Sequence, residues 1–212
     1  VVTSTMTMLG AEGDLLHPTA RNARRIILET PVLTTAEFEK LVDNVDADFE
    51  VAEISLEFTE SLENELNRIK TEAEAAVFGG RTIIVLNDYV EDAKQLTIPV
   101  LLAASTIHQY FVRIGLRTKA SILVNSAEVR EVHHFAALIG FGVDAIHPYL
   151  AYATIAEAID NKHLDVSFEK AVQKFRKGAA DGVVKVMSKM GISTVQSYRG
   201  AQVFEAVGIS KV

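Results

Sequence analysis

Hydrophobic and polar residues alternate over residues 53–58. This two-residue period predicts a β-strand with one solvated face, as is typical near the edge of a sheet. Apolar residues then recur at helical spacing from Leu62 to Ala73, ahead of the glycine pair at positions 79 and 80. The change of period predicts a strand that is followed by a helix.

The same order of strand and helix repeats twice more along the chain. Residues 82–86 and 120–124 are nearly uninterrupted apolar runs rich in β-branched side chains, which a parallel sheet buries on both faces. Helices are predicted from Pro99 to Ile114 and over residues 127–139, and a short strand over residues 144–146. These units predict an α/β fold, with a mainly parallel β-sheet and crossover helices on both faces.

The flanking segments have a different character. Thr34 and Glu37 form a capping-box signature, which predicts a short helix that ends near Asn44. After Pro148 the pattern predicts helices over 149–160, 167–176, 183–190 and 200–207, with a short strand over 192–197. We therefore expect an N-terminal loop and helix segment (1–48), an α/β core (49–160) and a helical C-terminal extension (161–212), packed together as one domain.

Composition excludes several kinds of chemistry. The 212 residues include no cysteine, so thiol nucleophiles, thiolate metal sites and iron–sulfur ligands are absent from this chain.

The formal charge of −7 argues against a nucleic acid partner. The longest uncharged stretch, 95–112, carries several polar residues and predicts a buried helix and no membrane span. Residues 1–5 lack the features of a secretory signal, which predicts a cytoplasmic location, and the uncharged ends predict a piece of a longer protein.

The glycine pairs do not have the arrangement of a nucleotide-binding loop. Gly79–Gly80 and Gly140–Gly142 each follow a predicted helix and precede a predicted strand. A phosphate cradle needs the reverse order, because the N–H groups of the helix N-terminus must face the anion. We interpret both pairs as helix C-caps.

Polar residues follow three of the predicted strands. Asn87, Asn125 and His147 should meet at the carboxyl edge of the sheet, where open α/β proteins usually bind ligands. The alternative is that these polar residues only end the strands and cap the helices that follow. His133 and His134, at the third crossover helix, are further candidates for a ligand site. Neighbouring helical residues point about 100° apart, so we predict no metal site there.

Two other surface features stand out. Arg21, Arg24 and Arg25 precede an apolar run, which indicates a clamp on a neighbouring surface. Phe204 and Val207 on the predicted last helix, together with Ile26 and Leu28, could form an apolar patch that drives self-association.

Long strings of this sequence resemble the large subunit of glutamate synthase. The resemblance covers almost the whole chain in the expected order. The matching strings are Gly13–Leu16, Ala23–Arg25, Thr30–Thr34, Arg130–Ala136, Leu138–Gly142, His147–Ala151, Val186–Thr194 and Gln196–Gly208.

The resemblance implies which part of that enzyme this chain is. Family members combine a glutaminase domain with a catalytic N-terminal cysteine, a central α/β domain, an FMN-binding barrel with an iron–sulfur cluster, and a β-helix. This chain has no cysteine, so it contains neither the catalytic nucleophile nor the cluster ligands. It is similar to the remaining part, the central domain with the connector toward the barrel. No catalytic, cofactor-binding or metal-binding residue of the family can be assigned here.

For the parent enzyme, the resemblance implies glutamine hydrolysis, transfer of ammonia through a tunnel, and reductive amination of 2-oxoglutarate at reduced FMN. This chain would then be a structural spacer that contacts the glutaminase and FMN-binding domains and is inactive alone. The residues that could face the tunnel are Asn87, Asn125, His133, His134 and His147. The alternative is a small ligand-binding or regulatory module with its site around Asn87, Asn125 and His147.

Overall fold

Four parallel strands form the central sheet in a computed structural model of the chain, which describes residues 3–92 and 94–208. The strands and helices, in chain order, are β1 (Thr7–Leu9), β2 (Ile26–Leu28), α1 (Thr35–Val42), β3 (Val51–Ser55), β4 (Glu57–Phe58), α2 (Leu62–Phe78), β5 (Ile83–Asn87), β6 (Leu96–Thr97), α3 (Val100–Arg113), β7 (Ser121–Asn125), α4 (Val132–Gly140), β8 (Ala145–His147), α5 (Tyr149–Asp160), α6 (Phe168–Lys189) and α7 (Val195–Tyr198).

The sheet has the order β3-β5-β7-β8, so its four strands lie side by side in the order in which they occur along the chain. Val32 adds a single parallel bridge to Ile146 beyond β8. The Leu33 N–H donates to the carbonyl of Ile146 at 2.8 Å, which fixes this extra edge. The predicted α/β fold with a parallel sheet is confirmed.

Helices cover both faces of this sheet because of the direction in which the chain crosses it. Right-handed crossovers from β3 to β8 place α2, α3 and α4 on one face. The chain that leads from Val32 to β3 crosses the sheet in the opposite direction and places α1 on the other face, where β1 and β2 also pack. Alternate sheet residues point into the two cores: Ile84 and Ile122 into the first, Val85 and Leu123 into the second.

Local signals explain most helix boundaries. The Thr34 hydroxyl accepts from the Glu37 N–H at 3.3 Å, and the Glu37 carboxylate accepts from the Thr34 N–H at 2.8 Å, so the predicted capping box is formed. Gly80 and Gly142 adopt φ of +95° and +108° just after α2 and α4, which confirms their prediction as helix C-caps. No helix among the described residues has both the length and the apolar character needed to cross a membrane.

The prediction of separate helices over 167–176 and 183–190 was wrong, since α6 runs unbroken through Gly178 and Gly182. A glycine lowers helix propensity without forbidding the helix. Gly182 is also needed for packing, because a Cβ there would lie 2.3 Å from the Val132 Cγ2 atom. Close contact between α4 and α6 therefore favours glycine at this position.

Other predicted elements were also wrong. The helix predicted over 127–139 begins only at Val132, because the Asp88 carboxylate accepts the Ala127 N–H and holds this segment as a loop. In place of a strand over 192–197 there is a single parallel bridge between Ser4 and Thr194, followed by α7. Residues 201–207 form no regular structure, since Gln202 has a φ of +56°, which a continuous helix does not allow.

Candidate functional site

A row of hydrogen-bonded polar side chains crosses the carboxyl edge of the sheet. Strand register places Asn87, Asn125 and His147 side by side at the ends of β5, β7 and β8. The Asn125 Nδ2 donates to the Asn87 Oδ1 at 2.9 Å, and the His147 Nδ1 lies 2.7 Å from the Asn125 Oδ1. The sequence prediction that these three residues meet at this edge is confirmed.

The hydrogen-bond directions in this row follow from one backbone donor. The Tyr89 N–H donates to the Asn87 Oδ1 at 3.0 Å, so that atom is the amide oxygen. Asn125 must then turn its amide nitrogen toward Asn87 and its oxygen toward His147. The His147 Nδ1 therefore carries the proton, and the Nε2 accepts from the Thr35 hydroxyl at 3.1 Å.

His147 is held as a neutral ring. Its side chain stacks on Phe38 with a centroid separation of 4.6 Å and is only 4% exposed. Burial lowers the pKa of His147 to about 4, because the charged form loses its hydration. Both ring nitrogens of His147 already have partners in this chain, so neither is left as a free base.

A second carboxyl-edge group, Asp88, holds the loop that follows β7. Its carboxylate accepts from the Ser126 hydroxyl at 2.6 Å and from the Ala127 N–H at 2.9 Å. A flavin phosphate would need such donors after a strand. Because the Asp88 carboxylate already accepts from both, these two donors are not free for a flavin phosphate.

The two adjacent histidines of α4 contact groups on or near their own helix. The His134 Nδ1 accepts from the Arg130 N–H at 3.1 Å, so the ring caps the first turn of the helix. His133 is exposed and meets the Phe204 ring edge-on at 5.8 Å. Among the described residues, no group of three or more metal-ligating side chains is positioned to hold an ion.

A buried ionic cluster lies before the strands β7 and β8, at the opposite, amino edge of the sheet. Asp144 is fully buried, and its Oδ2 accepts from the Arg117 Nη2 at 2.9 Å and from the Ile122 N–H at 2.7 Å. Arg199 forms an ion pair with the other carboxylate oxygen of Asp144 and reaches Glu12 at 3.1 Å. The cluster joins the N-terminal segment, the sheet and the C-terminal extension.

Sequence reasoning missed this cluster, although one signal was available. Asp144 interrupts an otherwise apolar run, and a charge in such a run requires a buried partner. The partners Arg117 and Arg199 are distant in sequence and only the fold brings them together. Burial lowers the pKa of each of these arginines to about 10, which leaves them protonated at neutral pH.

His108 packs against the same cluster. Its Nδ1 accepts from the Arg117 Nε at 3.0 Å. A Cβ at Gly142 would lie 2.1 Å from this nitrogen, and one at Gly200 would lie 2.8 Å from the Nε2. Burial, together with the charges of Arg117 and Arg199, lowers the pKa of His108 to about 4.

The two neutral histidines predict a loss of stability in mild acid. Because the folded pKa values of His108 and His147 are about 4, below the ordinary 6.5, the unfolded chain binds more protons between those values. The free energy of unfolding should therefore be fully retained above pH 6.5 and fall as the pH drops from 6.5 to 4. Urea unfolding at pH 7 and pH 4.5 measures this loss.

The variant His147→Gln should lose less stability than the natural chain over the same interval, because one titrating group is gone. His163→Gln is the matched control, since His163 is exposed. Equal losses in the natural chain and in His147→Gln would contradict the assignment of a buried, neutral His147.

The apolar patch expected for self-association is only partly present. Phe204 lies outside any helix and packs against Tyr198 and Phe141, so its proposed place on an exposed helix was wrong. Ile26 and Leu28 are half-buried and line a cavity of about 340 Å³ between β2 and α1. A larger cavity of about 440 Å³ lies elsewhere, and neither is lined by Asn87, Asn125 or His147.

Comparison with known sequences decides the family. Residues 1–210 match the glutamate synthase central domain family. The chain belongs to this family.

Relatives with different electron donors share this central domain. The glutamate synthase (NADPH) large chain of Bacillus subtilis is 58% identical over 211 residues, covering 100% of this chain and 14% of the relative. The chloroplastic ferredoxin-dependent glutamate synthase of Spinacia oleracea is 36% identical over 227 residues, covering 100% of this chain and 14% of the relative. The central domain chain thus spans about one seventh of these relatives.

Solved structures support the fold of the central domain. A flavocytochrome b2 with sulfite bound aligns with a TM-score of 0.53 at 13% identity, covering 86% of this chain and 47% of that chain. Such flavoenzyme domains are barrels of successive parallel strands, an order that the sheet β3-β5-β7-β8 shares. At this identity the likeness concerns the fold alone.

Proposed function

We propose that this central domain is the rigid, non-catalytic spacer of a cytoplasmic glutamate synthase large chain. In this proposal it lies between a glutaminase domain and an FMN-binding barrel with an iron–sulfur cluster. It keeps those two sites in register and helps to shape the path by which ammonia passes between them. The observation that carries the proposal is the family match over residues 1–210.

The packing of the domain suits that role. Both faces of the sheet are covered, and close-packed cores resist deformation. The polar row of Asn87, Asn125 and His147 ties three strand ends together by side-chain hydrogen bonds. A stiff edge of this kind helps a path for neutral ammonia to stay closed to water, which would otherwise protonate it.

The chemistry of the parent enzyme is assigned to the other domains. The groups in this chain that could serve as acid or base at the sheet edge, His147 and Asp88, are occupied by partners of their own. The Asp88 carboxylate also takes up the Ser126 and Ala127 donors, which supports our assignment of FMN to the barrel domain.

The purified chain is expected to hydrolyse no glutamine, to form no glutamate from 2-oxoglutarate, and to show no flavin absorbance. The full-length large chain that contains this domain serves as the positive control in the same assays. Measurable turnover by the isolated chain, or co-purification of a stoichiometric flavin, would contradict the proposal.

A further inference from the structure

Backbone hydrogen bonds join the N-terminal segment of the domain to its C-terminal extension. Ser4 forms a single parallel bridge to Thr194. The Ser4 N–H donates to the carbonyl of Ser193 at 2.9 Å, and the Ser4 carbonyl accepts from the Val195 N–H at 3.1 Å. These bonds connect the segment that leads into β1 with the segment that leads into α7, so neither can leave the domain without breaking contacts of the other.

An ion pair joins the same two segments a second time. The Glu12 carboxylate accepts from the Arg199 Nη2 at 3.1 Å, and 187 positions separate these two residues. The Glu12 N–H donates to the carbonyl of Thr118 at 2.8 Å. The Gly200 N–H donates to the carbonyl of Gly140 at 3.1 Å. Each side of the ion pair is thus also held by the body of the domain.

Arg25 adds a third guanidinium group to the two arginines of the buried ionic cluster. Its Nε and Nη2 donate to the carbonyls of Leu9 and Met8 at 3.1 and 2.9 Å, so the side chain turns inward. The sequence grouped Arg25 with Arg21 and Arg24 as a clamp on a neighbouring surface, and this inward direction removes it from that group.

Glu12 is a counter-charge that all three arginines share. Burial lowers the pKa of Arg25, Arg117 and Arg199, and the Glu12 carboxylate opposes that shift in each of them. Together with Asp144, these residues form a cluster of three guanidinium groups and two carboxylates. Loss of the Glu12 charge would leave three cations with one carboxylate in a largely buried site, which favours the release of Arg199.

An aromatic side chain holds the C-terminal extension beyond Arg199. The Phe204 ring fills space that Gly140 leaves open, since a Cβ there would lie 2.7 Å from the ring. Phe204 also stacks on Phe141 and meets Tyr198 edge-on, both with a centroid separation of 6.3 Å. These partners belong to α4, its C-terminal turn and the extension, so a change at Phe204 would reach residues 3–12 through the extension.

We propose that Ser4, Glu12 and Arg199 form a two-point latch, through which residues 3–12 and residues 193–204 are released from the domain together. Such coupling is reciprocal, so loosening either segment should loosen the other by the same factor. Its consequence rests on the proposed function, in which the glutaminase domain precedes the first segment and the FMN-binding barrel follows the second. The latch then keeps the attachment points of those two domains in register.

Hydrogen exchange tests the latch in the full-length large chain that contains this domain. Glu12→Gln removes a charge from the first segment, and the readout is mass spectrometry of peptides that cover residues 193–204. We expect exchange there to become about tenfold faster, a factor typical of coupled sites. Peptides that cover β5 and β7 should not change. Glu29→Gln is the matched control, since the Glu29 side chain is exposed.

Two results with Glu12→Gln would overturn the latch. One is unchanged exchange of residues 193–204. The other is equal acceleration in β5 and β7, since that pattern means that the whole domain is loosened and the two segments have no opening of their own.

The reverse experiment starts from the other segment. Phe204→Ala should loosen residues 193–204 and, through the latch, speed the exchange of residues 3–12. Phe168→Ala is the control, because Phe168 lies at the start of α6 and is 38% exposed. Acceleration that is confined to residues 193–204 would rule out the coupling.

A double variant identifies the ion pair as the connection. Arg199→Gln alone should speed the exchange of residues 193–204. Adding Glu12→Gln should then have little further effect there, because its partner has already been removed. Independent, multiplying effects of the two changes would show that Glu12 acts apart from Arg199 and would contradict the latch.

Hydrogen exchange reports release independently of catalysis, so the latch and the spacer role can fail separately. If Glu12→Gln frees residues 193–204 while the ratio of glutamine hydrolysed to 2-oxoglutarate consumed stays at its natural value, the latch is supported and its part in the spacer role is contradicted. Unchanged exchange in both Glu12→Gln and Phe204→Ala contradicts the latch alone.

Discussion

Replacement of Asp144 with alanine should lower the free energy of unfolding by about 3–5 kcal/mol, the cost typical of removing one partner from a buried ion pair. Asp144 is fully buried and pairs with Arg117 and Arg199. Without it, the Arg117 guanidinium loses its ion-pair partner, Arg199 keeps only Glu12, and the Ile122 N–H loses its acceptor. Urea unfolding at pH 7 measures the difference.

Asp165→Ala is the matched control for this variant, since Asp165 is exposed and its removal leaves no buried charge unpaired. The double variant Asp144→Ala with Arg117→Leu should recover part of the loss, because one uncompensated charge is removed with its partner. A loss below about 1 kcal/mol for Asp144→Ala would contradict the view that this cluster joins the two ends of the chain to the sheet.

Replacement of Gly142 with alanine should also destabilise the domain strongly, by about 3 kcal/mol, through backbone strain and overpacking together. Gly142 has a φ of +108°, and the new Cβ would lie 2.1 Å from the buried His108 ring. The ring cannot move freely, because Arg117 holds its Nδ1 and Gly200 lies against its other side. Thermal and urea unfolding measure the loss.

Gly80→Ala separates the two causes. Gly80 has a similar φ of +95°, but a Cβ there would meet nothing within 4 Å. It should therefore show only the cost of the left-handed conformation, about 1–2 kcal/mol. The additional variant His108→Ala in the Gly142→Ala background should recover stability by opening space. Equal losses for Gly142→Ala and Gly80→Ala would show that contact with His108 contributes nothing.

Local sequence patterns were enough to predict the sheet. The apolar runs at 82–86 and 120–124 became β5 and β7, because burial on both faces is a property of the run itself. The meeting of Asn87, Asn125 and His147 also followed, since parallel strands end at one edge. The failures lie where contacts distant in sequence decide the structure: Val132 packs against Gly182 within a continuous α6, and residues 201–207 follow the packing of Phe204.

In the candidate site, too, local sequence predicted some features, and contacts between distant residues decided the others. Sequence position could place His147 at the edge, but it could not show that Thr35 and Asn125 occupy both of its ring nitrogens. The ionic cluster joins Glu12 and Arg199, 187 positions apart, and no local pattern connects them. The boundaries 1–48, 49–160 and 161–212, and the exposure of His133 and His134 to an ammonia path, remain predictions.

The ratio of glutamine hydrolysed to 2-oxoglutarate consumed tests the spacer role most directly. It should be measured in the full-length large chain with saturating reductant, for the natural protein, for His147→Ala and Asn125→Ala, and for the exposed control Lys40→Gln. We expect a ratio near one for the natural protein and the control. The two row variants should raise it, because a loosened sheet edge lets ammonia escape while both reactions continue. A ratio that stays at one in both variants, or loss of glutamine hydrolysis in variants that remain folded, would contradict a non-catalytic spacer that keeps the ammonia path closed.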